Sequence, residues 1–349
     1  MIKLSIIVVL LVVIELVYFK VADRFNIIDK PNMRSSHSHI TLRGGGIIFL
    51  AGAWLWAVFY GFSSGEGLPY PWFMTGLTLI SLVSFADDVR PVPNKVRLVV
   101  QFLSMFLMFQ QLGILHLNLW WAVLIALIVC VGIINAYNFM DGINGITGGY
   151  SLAVLLPLMV VYGIPDQVGY DLSKTGYDWG LSCPACPGIS SFLMVMTLSV
   201  LVFCLFNFRK RARCFAGDVG AVSIAFILTF AIGKLIVQTG DFSYIVFLGV
   251  YGVDSVLTIV HRIMLGESLG VAHRKHAYQI MANELKMPHT MVSSIYMLIQ
   301  LAVSAGLIFL PVNHYLYAAV VLALLGLAYI IFMKKYYHLH AEYLESLTK

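Results

Sequence analysis

The sequence predicts an all-α, polytopic membrane protein with about eleven spanning helices. Three observations carry that prediction: composition, the length of the apolar runs, and the pattern inside them. Of 349 residues, 60% are hydrophobic and only 11% charged, and the mean hydropathy of +0.88 leaves too little polar surface for a water-soluble domain. Apolar stretches fall at roughly 4–19, 44–63, 68–86, 98–115, 119–137, 147–164, 189–206, 219–238, 244–263, 291–311 and 315–333, each close to the length that crosses hydrocarbon. None shows the strict alternation of a closed barrel, so helices, which satisfy their own backbone groups, are the remaining way to span.

Lys3 and the run after it imitate a secretory signal. No small-residue cleavage site follows, and the basic cluster beyond outweighs Lys3, so the run is read as the first helix. The basic residues then set the orientation. With the N-terminus outside and the C-terminus cytoplasmic, every Lys and Arg except Lys3, Lys174 and Lys234 falls in a connection facing inward. The net charge of +5 therefore reports topology and attraction to anionic membrane lipid, and gives no support for nucleic-acid binding. Cys130, Cys204 and Cys214 read as thiols of the membrane or its inner side. Cys183 and Cys186 stand close together in the one long outer loop, as a disulfide or as two free thiols. No repeat or linker divides the chain, so residues 1–349 form one domain.

The polar loops predicted to face the cytoplasm, about 20–46, 87–97, 138–148, 207–220 and 264–290, carry the chemistry. The first contains DKPNMRSSHSHITLRGGG, with basic groups, two histidines and a glycine triplet that lets backbone approach a ligand or another helix. The second opens on Asp87–Asp88 at a helix C-terminus, where the macrodipole already places negative charge; a metal ion, a cation or a shared proton must compensate the pair. In the third, NAYNFMDGINGITGG, Asn135, Asn138, Asp141 and Asn144 recur every three residues and would offer oxygens to a hard metal and amides to a base, while Gly142 and Gly145 predict a break in the helix. The fourth joins Asn207 and a basic run to Gly217–Asp218–Val219–Gly220 at a helix start, where backbone donors favour phosphate. The fifth is HRKHAYQ, in which His273, Arg274 and His276 suit a diphosphate or a sugar hydroxyl better than zinc, for which cysteines and a third spaced histidine are missing. Asp254, inside the ninth span and eight residues before Arg262, reads as a structural acid.

These motifs, in this order over roughly residues 20 to 285, resemble the polyprenyl-phosphate N-acetylhexosamine-1-phosphate transferases that begin cell-wall, O-antigen and capsule synthesis in bacteria. The branch that initiates O-antigen and enterobacterial antigen is the most similar; the peptidoglycan enzyme carries a triple histidine where this chain has His273 and His276. The resemblance implies that undecaprenyl phosphate attacks the β-phosphorus of a UDP-N-acetylaminosugar, giving the lipid-diphospho-sugar and UMP, with Mg2+ or Mn2+, in the bacterial inner membrane and on its cytoplasmic side. It also implies roles: Asp218 and Asn138 as metal ligands, Asp87 as the base for the lipid phosphate with Asp88 assisting, and Asp141, Asn144 and Asn207 near the nucleoside. Arg97, His273, Arg274 and His276 match phosphate- or sugar-contacting positions. Many bacterial members have aspartate where this chain has Asn144, and homodimers are common in the family. Two rivals predict other arrangements. A transporter places its polar groups near the bilayer midplane, and an aspartate-rich prenyltransferase needs two separated acidic motifs, of which only Asp87–Asp88 resembles one.

Overall fold

A computed structural model describes every residue except 1, 32–35, 37–38, 63–66, 117–119, 164–187, 269–272 and 349, and side chains up to residue 343. Cys183, Cys186 and Lys174 lie outside the described residues, as do His37 and Arg34 of the first loop. Twelve helices make up the described chain: α1 (Ile2–Arg24), α2 (Ile47–Trp56, ending in a π-helical turn Ala57–Gly61), α3 (Pro71–Val89), α4 (Asn94–Gln111), α5 (Trp120–Met140), α6 (Ile146–Gly163), α7 (Ile189–Asn207), α8 (Gly217–Thr239), α9 (Gly249–Met264), α10 (Ala277–Asn283), α11 (His289–Phe309) and α12 (His314–Thr348). Among the described residues, nine stretches are long and apolar enough to cross a membrane, one of them combining α9 with the 3-10 turn Phe242–Leu248 before it. The two other expected spans are also helical: the short Ile47–Gly61, and α4, whose first turn carries Lys95 and Arg97. The last expected span does not stop near residue 333 but runs on as one helix to Thr348.

α8 is the axis of the bundle. Its residues from Val219 to Leu235 are almost all buried, and α2, α3, α5 and α6 pack around it. Such a helix, apolar on every side, has no face suited to water. α1, α5 and α12 instead expose most of their apolar side chains, as helices on a lipid-facing perimeter do. Phe73 stacks on Phe226 and Phe230 of α8 with centroids 5.6 and 4.0 Å apart, which helps fix α3 against the axis.

At one end of the bundle the C-termini of α3, α5 and α7 meet the N-termini of α4, α6 and α8. Two strands, β1 (Ile28–Asp29) and β2 (Thr41–Leu42), form an antiparallel pair above them, and Leu42 bridges to Cys214 in the fourth loop. Phe215 N donates to Leu42 O at 2.8 Å, Gly45 N to Phe215 O at 2.9 Å, and Gly46 N to Ala216 O at 3.0 Å. The first and fourth loops are thus sewn together by backbone. The glycine triplet makes this contact, so its role is approach to another chain segment: a Cβ on Gly46 would stand 2.1 Å from the Gly220 Cα.

Backbone cannot yield there as a flexible side chain would, so Gly46→Ala should destabilise the fold by about 1–3 kcal/mol or more. The check is the unfolding midpoint of purified protein in detergent, with Gly132→Ala, which meets nothing within 4 Å, as the comparison. Equal midpoints for the two variants would contradict the packing described.

Candidate active site

Three carboxylates and two guanidiniums converge where α3, α4 and α8 meet. Arg43, between β2 and α2, places Nε 2.6 Å from Asp88 Oδ1 and Nη2 3.2 Å from Asp218 Oδ1. Arg97, in the first turn of α4, places Nη1 2.8 Å from Asp87 Oδ2 and Nη2 3.3 Å from Asp218 Oδ2. Asp218 is thereby clamped between two arginines, each of which also holds one member of the Asp87–Asp88 pair. Burial opposes the Arg43 charge, yet the carboxylates of Asp88, Asp218 and Asp29 prevail and hold its guanidinium above the ordinary value.

The same geometry explains how two acids end a helix. Asp88, buried, accepts from the backbone N–H groups of Asp218 and Val219, both at 2.9 Å. It therefore caps α8 from across the bundle, and the positive end of that helix offsets the negative end of its own. The α8 donors expected to take phosphate are occupied by Asp88. Gly217, with φ +70°, gives Asp88 its approach, since a Cβ there would lie 2.6 Å from Asp88 Oδ2. Asp87 accepts from Val92 N at 2.7 Å, and that bond together with Arg97 fixes the turn into α4.

The asparagine row of the third loop separates as its glycines predict. α5 ends at Met140, and Gly145, with φ +85°, turns the chain into α6. Asn135 points to α4, exchanging amide bonds with Gln101. Asn138 reaches the centre: with its nitrogen toward Asp218 Oδ1 and its oxygen toward Arg97 Nη2, both contacts are 3.1 Å. Asp141 accepts from Thr147 Oγ1 at 2.6 Å, and burial pushes its carboxyl up to about 6 against that bond. Asn144 donates to Arg209 O and Lys210 O at 3.0 and 3.2 Å, and Asn207 spans Gly145 N and Cys214 O, both at 2.8 Å. Both amides thus hold loops three and four against each other.

The fifth loop divides too. His273 lies beside His276 and Phe139, with ring centroids 5.1 and 6.4 Å away, and burial pushes its imidazole down to about 3, so it is uncharged at neutral pH. Tyr278 OH donates to Phe139 O at 2.9 Å, which ties this loop to the residue following Asn138. Arg274 turns away to Glu284, 2.9 Å distant, and lies over the Tyr343 ring of α12. Arg262 pairs with Glu267 at 3.1 Å, while Asp254 serves His276. Sequence reasoning passed over Arg43, the cation at the centre. Its signal was position, since it directly precedes the glycines that carry the chain onto α8.

Among the described residues, no three of His, Cys, Asp and Glu gather as a metal-binding group. A smaller set of hard oxygens is present. A half-turn of the Asn138 amide sets its oxygen beside Asp218 Oδ1, giving an amide and a carboxylate oxygen at one point. Mg2+ is commonly held by one or two carboxylates, with water and substrate phosphates completing the shell, so this donor chemistry fits it.

Because the folded Asp141 carboxyl holds its proton to a higher pH than its ordinary 3.8, ionising it costs stability. The cost is absent below the lower value, grows between 3.8 and about 6, and is complete above. The unfolding midpoint of the wild type should therefore fall relative to that of Asp141→Asn as pH rises from about 4 to 7. A constant difference across that range would contradict the assignment.

Known proteins resemble this chain over the region that holds most of the cluster. The profile of glycosyl transferase family 4 matches residues 70–236, which include every residue of the central cluster except Arg43. The chain is 25% identical to a probable undecaprenyl-phosphate N-acetylglucosaminyl 1-phosphate transferase of Bacillus subtilis, over 74% of this chain and 70% of that one. It is 26% identical to the phospho-N-acetylmuramoyl-pentapeptide-transferase of Thermotoga neapolitana, over 62% and 67% of the two chains. It is also 26% identical to the undecaprenyl-phosphate alpha-N-acetylglucosaminyl 1-phosphate transferase of Yersinia pestis, over 59% of this chain and 55% of the relative, so it spans just over half of that length. These identities do not separate the two branches. Together the profile, the relatives and the helical membrane fold make the chain similar to glycosyl transferase family 4.

Proposed function

We propose that this enzyme transfers an N-acetylaminosugar 1-phosphate from a UDP-sugar to undecaprenyl phosphate, releasing UMP, and so initiates synthesis of a cell-envelope glycan. The observation that carries the reading is the clamp on Asp218: two arginines and one asparagine converge on a single carboxylate at a helix end. One diphosphate linkage is exchanged for another, so the protein's task is to bring two mutually repelling phosphates into line. Burial and the neighbouring Asp87 and Asp88 push the Asp218 carboxyl up to about 7 despite Arg43 and Arg97, so the cluster by itself offers no surplus positive charge to the phosphates. Asp218 and the Asn138 amide oxygen would hold a divalent cation, which would supply positive charge against the donor phosphates and the departing UMP.

The chain's own groups then divide the work. Arg97 bridges Asp87 and Asp218, so the lipid phosphate near Asp87 and the donor near Asp218 share one cation between them. A lipid phosphate is already ionised near neutral pH, so Asp87 positions it and need not take a proton. Asp88 holds the α8 N-terminus and Arg43 in register beneath both. Asp141 sits on the nucleoside side with the turn that Asn144 and Asn207 brace, and the His273–His276 loop covers the sugar. The polar groups lie at helix ends, where a lipid head group arrives, whereas a transporter would hold them near the bilayer midplane. The bias of basic residues toward the connections at that end supports its facing the cytoplasm, with the N-terminus outside.

The test is UMP release from UDP-GlcNAc and other UDP-sugars by purified protein with undecaprenyl phosphate. Asp218→Ala and chelation of divalent cations are each expected to lower the rate by at least roughly a hundredfold. Mg2+ or Mn2+ should restore the chelated wild type and leave the variant inactive. Full activity of Asp218→Ala, or of the chelated enzyme, would overturn the assignment.

A further inference from the structure

Asp254 sits midway along α9, inside the bundle and away from the phosphate cluster, and is buried. Around its carboxylate stand Tyr296 OH of α11 at 2.6 Å, Thr258 Oγ1 at 3.1 Å, Ala277 N at 3.1 Å and His276 Nδ1 at 3.2 Å. A buried carboxylate needs donors on its oxygens, and here one of them is an imidazole. His276 and Ala277 both bond to this acid, so α10 starts on it. Gln279 reinforces the start by accepting from His276 N at 3.2 Å.

A carboxylate only accepts, so the His276 nitrogen facing it carries the hydrogen. The other nitrogen, Nε2, is buried with no hydrogen-bond partner among the described residues. A polar atom in that position is costly unless something supplies its partner. Its neighbours place it beside the donor side of the site: the His273 and Tyr278 rings lie 5.1 and 5.7 Å from the His276 ring, and Tyr278 OH holds Phe139 O, next to Asn138. A Cβ on Gly142 would meet the same tyrosine oxygen at 2.2 Å, so the third loop closes directly on this group.

We propose that Asp254 is a positioning residue that holds His276 as the Nδ1–H tautomer, leaving the Nε2 lone pair to accept a hydrogen bond from a hydroxyl or acetamido N–H of the donor sugar. The inference rests on the transferase reading above and sharpens it. A lone pair repels phosphate oxygens and attracts a hydroxyl or amide hydrogen, so His276 reads the sugar while the arginine-clamped cluster handles phosphate. Tyr296 OH holds Asp254 Oδ2, while Thr258 Oγ1 and Ala277 N share Oδ1 with His276, and together they keep the acid from turning toward the ring face.

Two readouts test this. In protein labelled with 15N-histidine, the His276 signals, assigned by their disappearance in His276→Gln, should show a protonated Nδ1 and an unprotonated Nε2 in the wild type. In Asp254→Ala the ring should revert to the Nε2–H form. In kinetics of UMP release, Asp254→Ala should lower kcat/KM for the UDP-sugar by roughly 10- to 100-fold, act mainly through the UDP-sugar KM, and leave the KM for undecaprenyl phosphate in place. Asp254→Asn, whose amide oxygen still accepts from Nδ1–H, should recover most of the loss. Adding Asp254→Ala to His276→Gln should cost little more, because both act at one contact. An imidazolium signal, an Nε2–H tautomer in the wild type, or fully additive losses would overturn the proposal. The spectroscopic result stands apart from the transferase reading, whose own failure would appear as a wild type that releases no UMP from any UDP-sugar.

Discussion

Three carboxylates at the edge of a low-dielectric slab must be held together, and the pairing of Asp87, Asp88 and Asp218 with Arg43 and Arg97 is the interaction on which the rest of the structure depends. Arg97 is delivered simply, by the first turn of the helix after the Asp87–Asp88 pair. Arg43 is not. It comes from a loop that must cross the end of the bundle, and the short strand pair, the bridge from Leu42 to Cys214 and the glycine contact with α8 are the devices that carry it there. α8 is fixed in turn by Asp88, which caps it. Position and charge are therefore one problem here: loosening the backbone seam would strand the acids, and removing the acids would uncap the axial helix.

Much of this was legible in the sequence because it is governed by local rules. All eleven apolar stretches are helical, nine of them long and apolar enough to span among the described residues, because a span declares itself by length and composition, whereas the short α10 does not. The break at Gly142–Gly145 and the special status of Asp87–Asp88 and Asp218 followed from conformational freedom and from charge at helix ends. What was not legible depends on distance across the bundle. Nothing in the string shows that Asn135 faces α4 while Asn138, one turn later, faces Asp218. Nor does it show that Asn144 and Asn207 spend their amides on backbone carbonyls and an N–H of neighbouring loops, or that Arg274 leaves its histidine neighbours for Glu284. Arg43 and Asp254 were underrated for the same reason: each acts on a partner far away in sequence.

The arrangement also separates two chemical tasks by material. On the proposed reading, phosphate would be met by guanidinium, carboxylate and a hard-oxygen pair, which suit charge and need little shape. The side proposed to take the sugar gathers His273, His276, Tyr278 and Phe139, rings with few polar atoms, each directed by a specific bond or contact. Charge supplies a field for any nucleotide diphosphate, whereas directed single contacts discriminate among sugars. Beneath the second group runs the extension of α12, where His340 and Arg274 both meet Glu284, at 2.8 and 2.9 Å, and burial of that acid is outweighed by these two partners, which hold its carboxyl below the ordinary value.

The central claim, that Asp218 with Asn138 forms one cation site at the arginine-clamped cluster, is tested most directly by Mn2+ electron paramagnetic resonance on purified protein in the presence of UDP-GlcNAc. The wild type should bind a single Mn2+ per chain with hyperfine coupling to the donor's phosphorus, and Asp218→Ala should lose both the ion and the coupling. Unchanged Mn2+ binding and coupling in that variant would place the cation elsewhere and contradict the account.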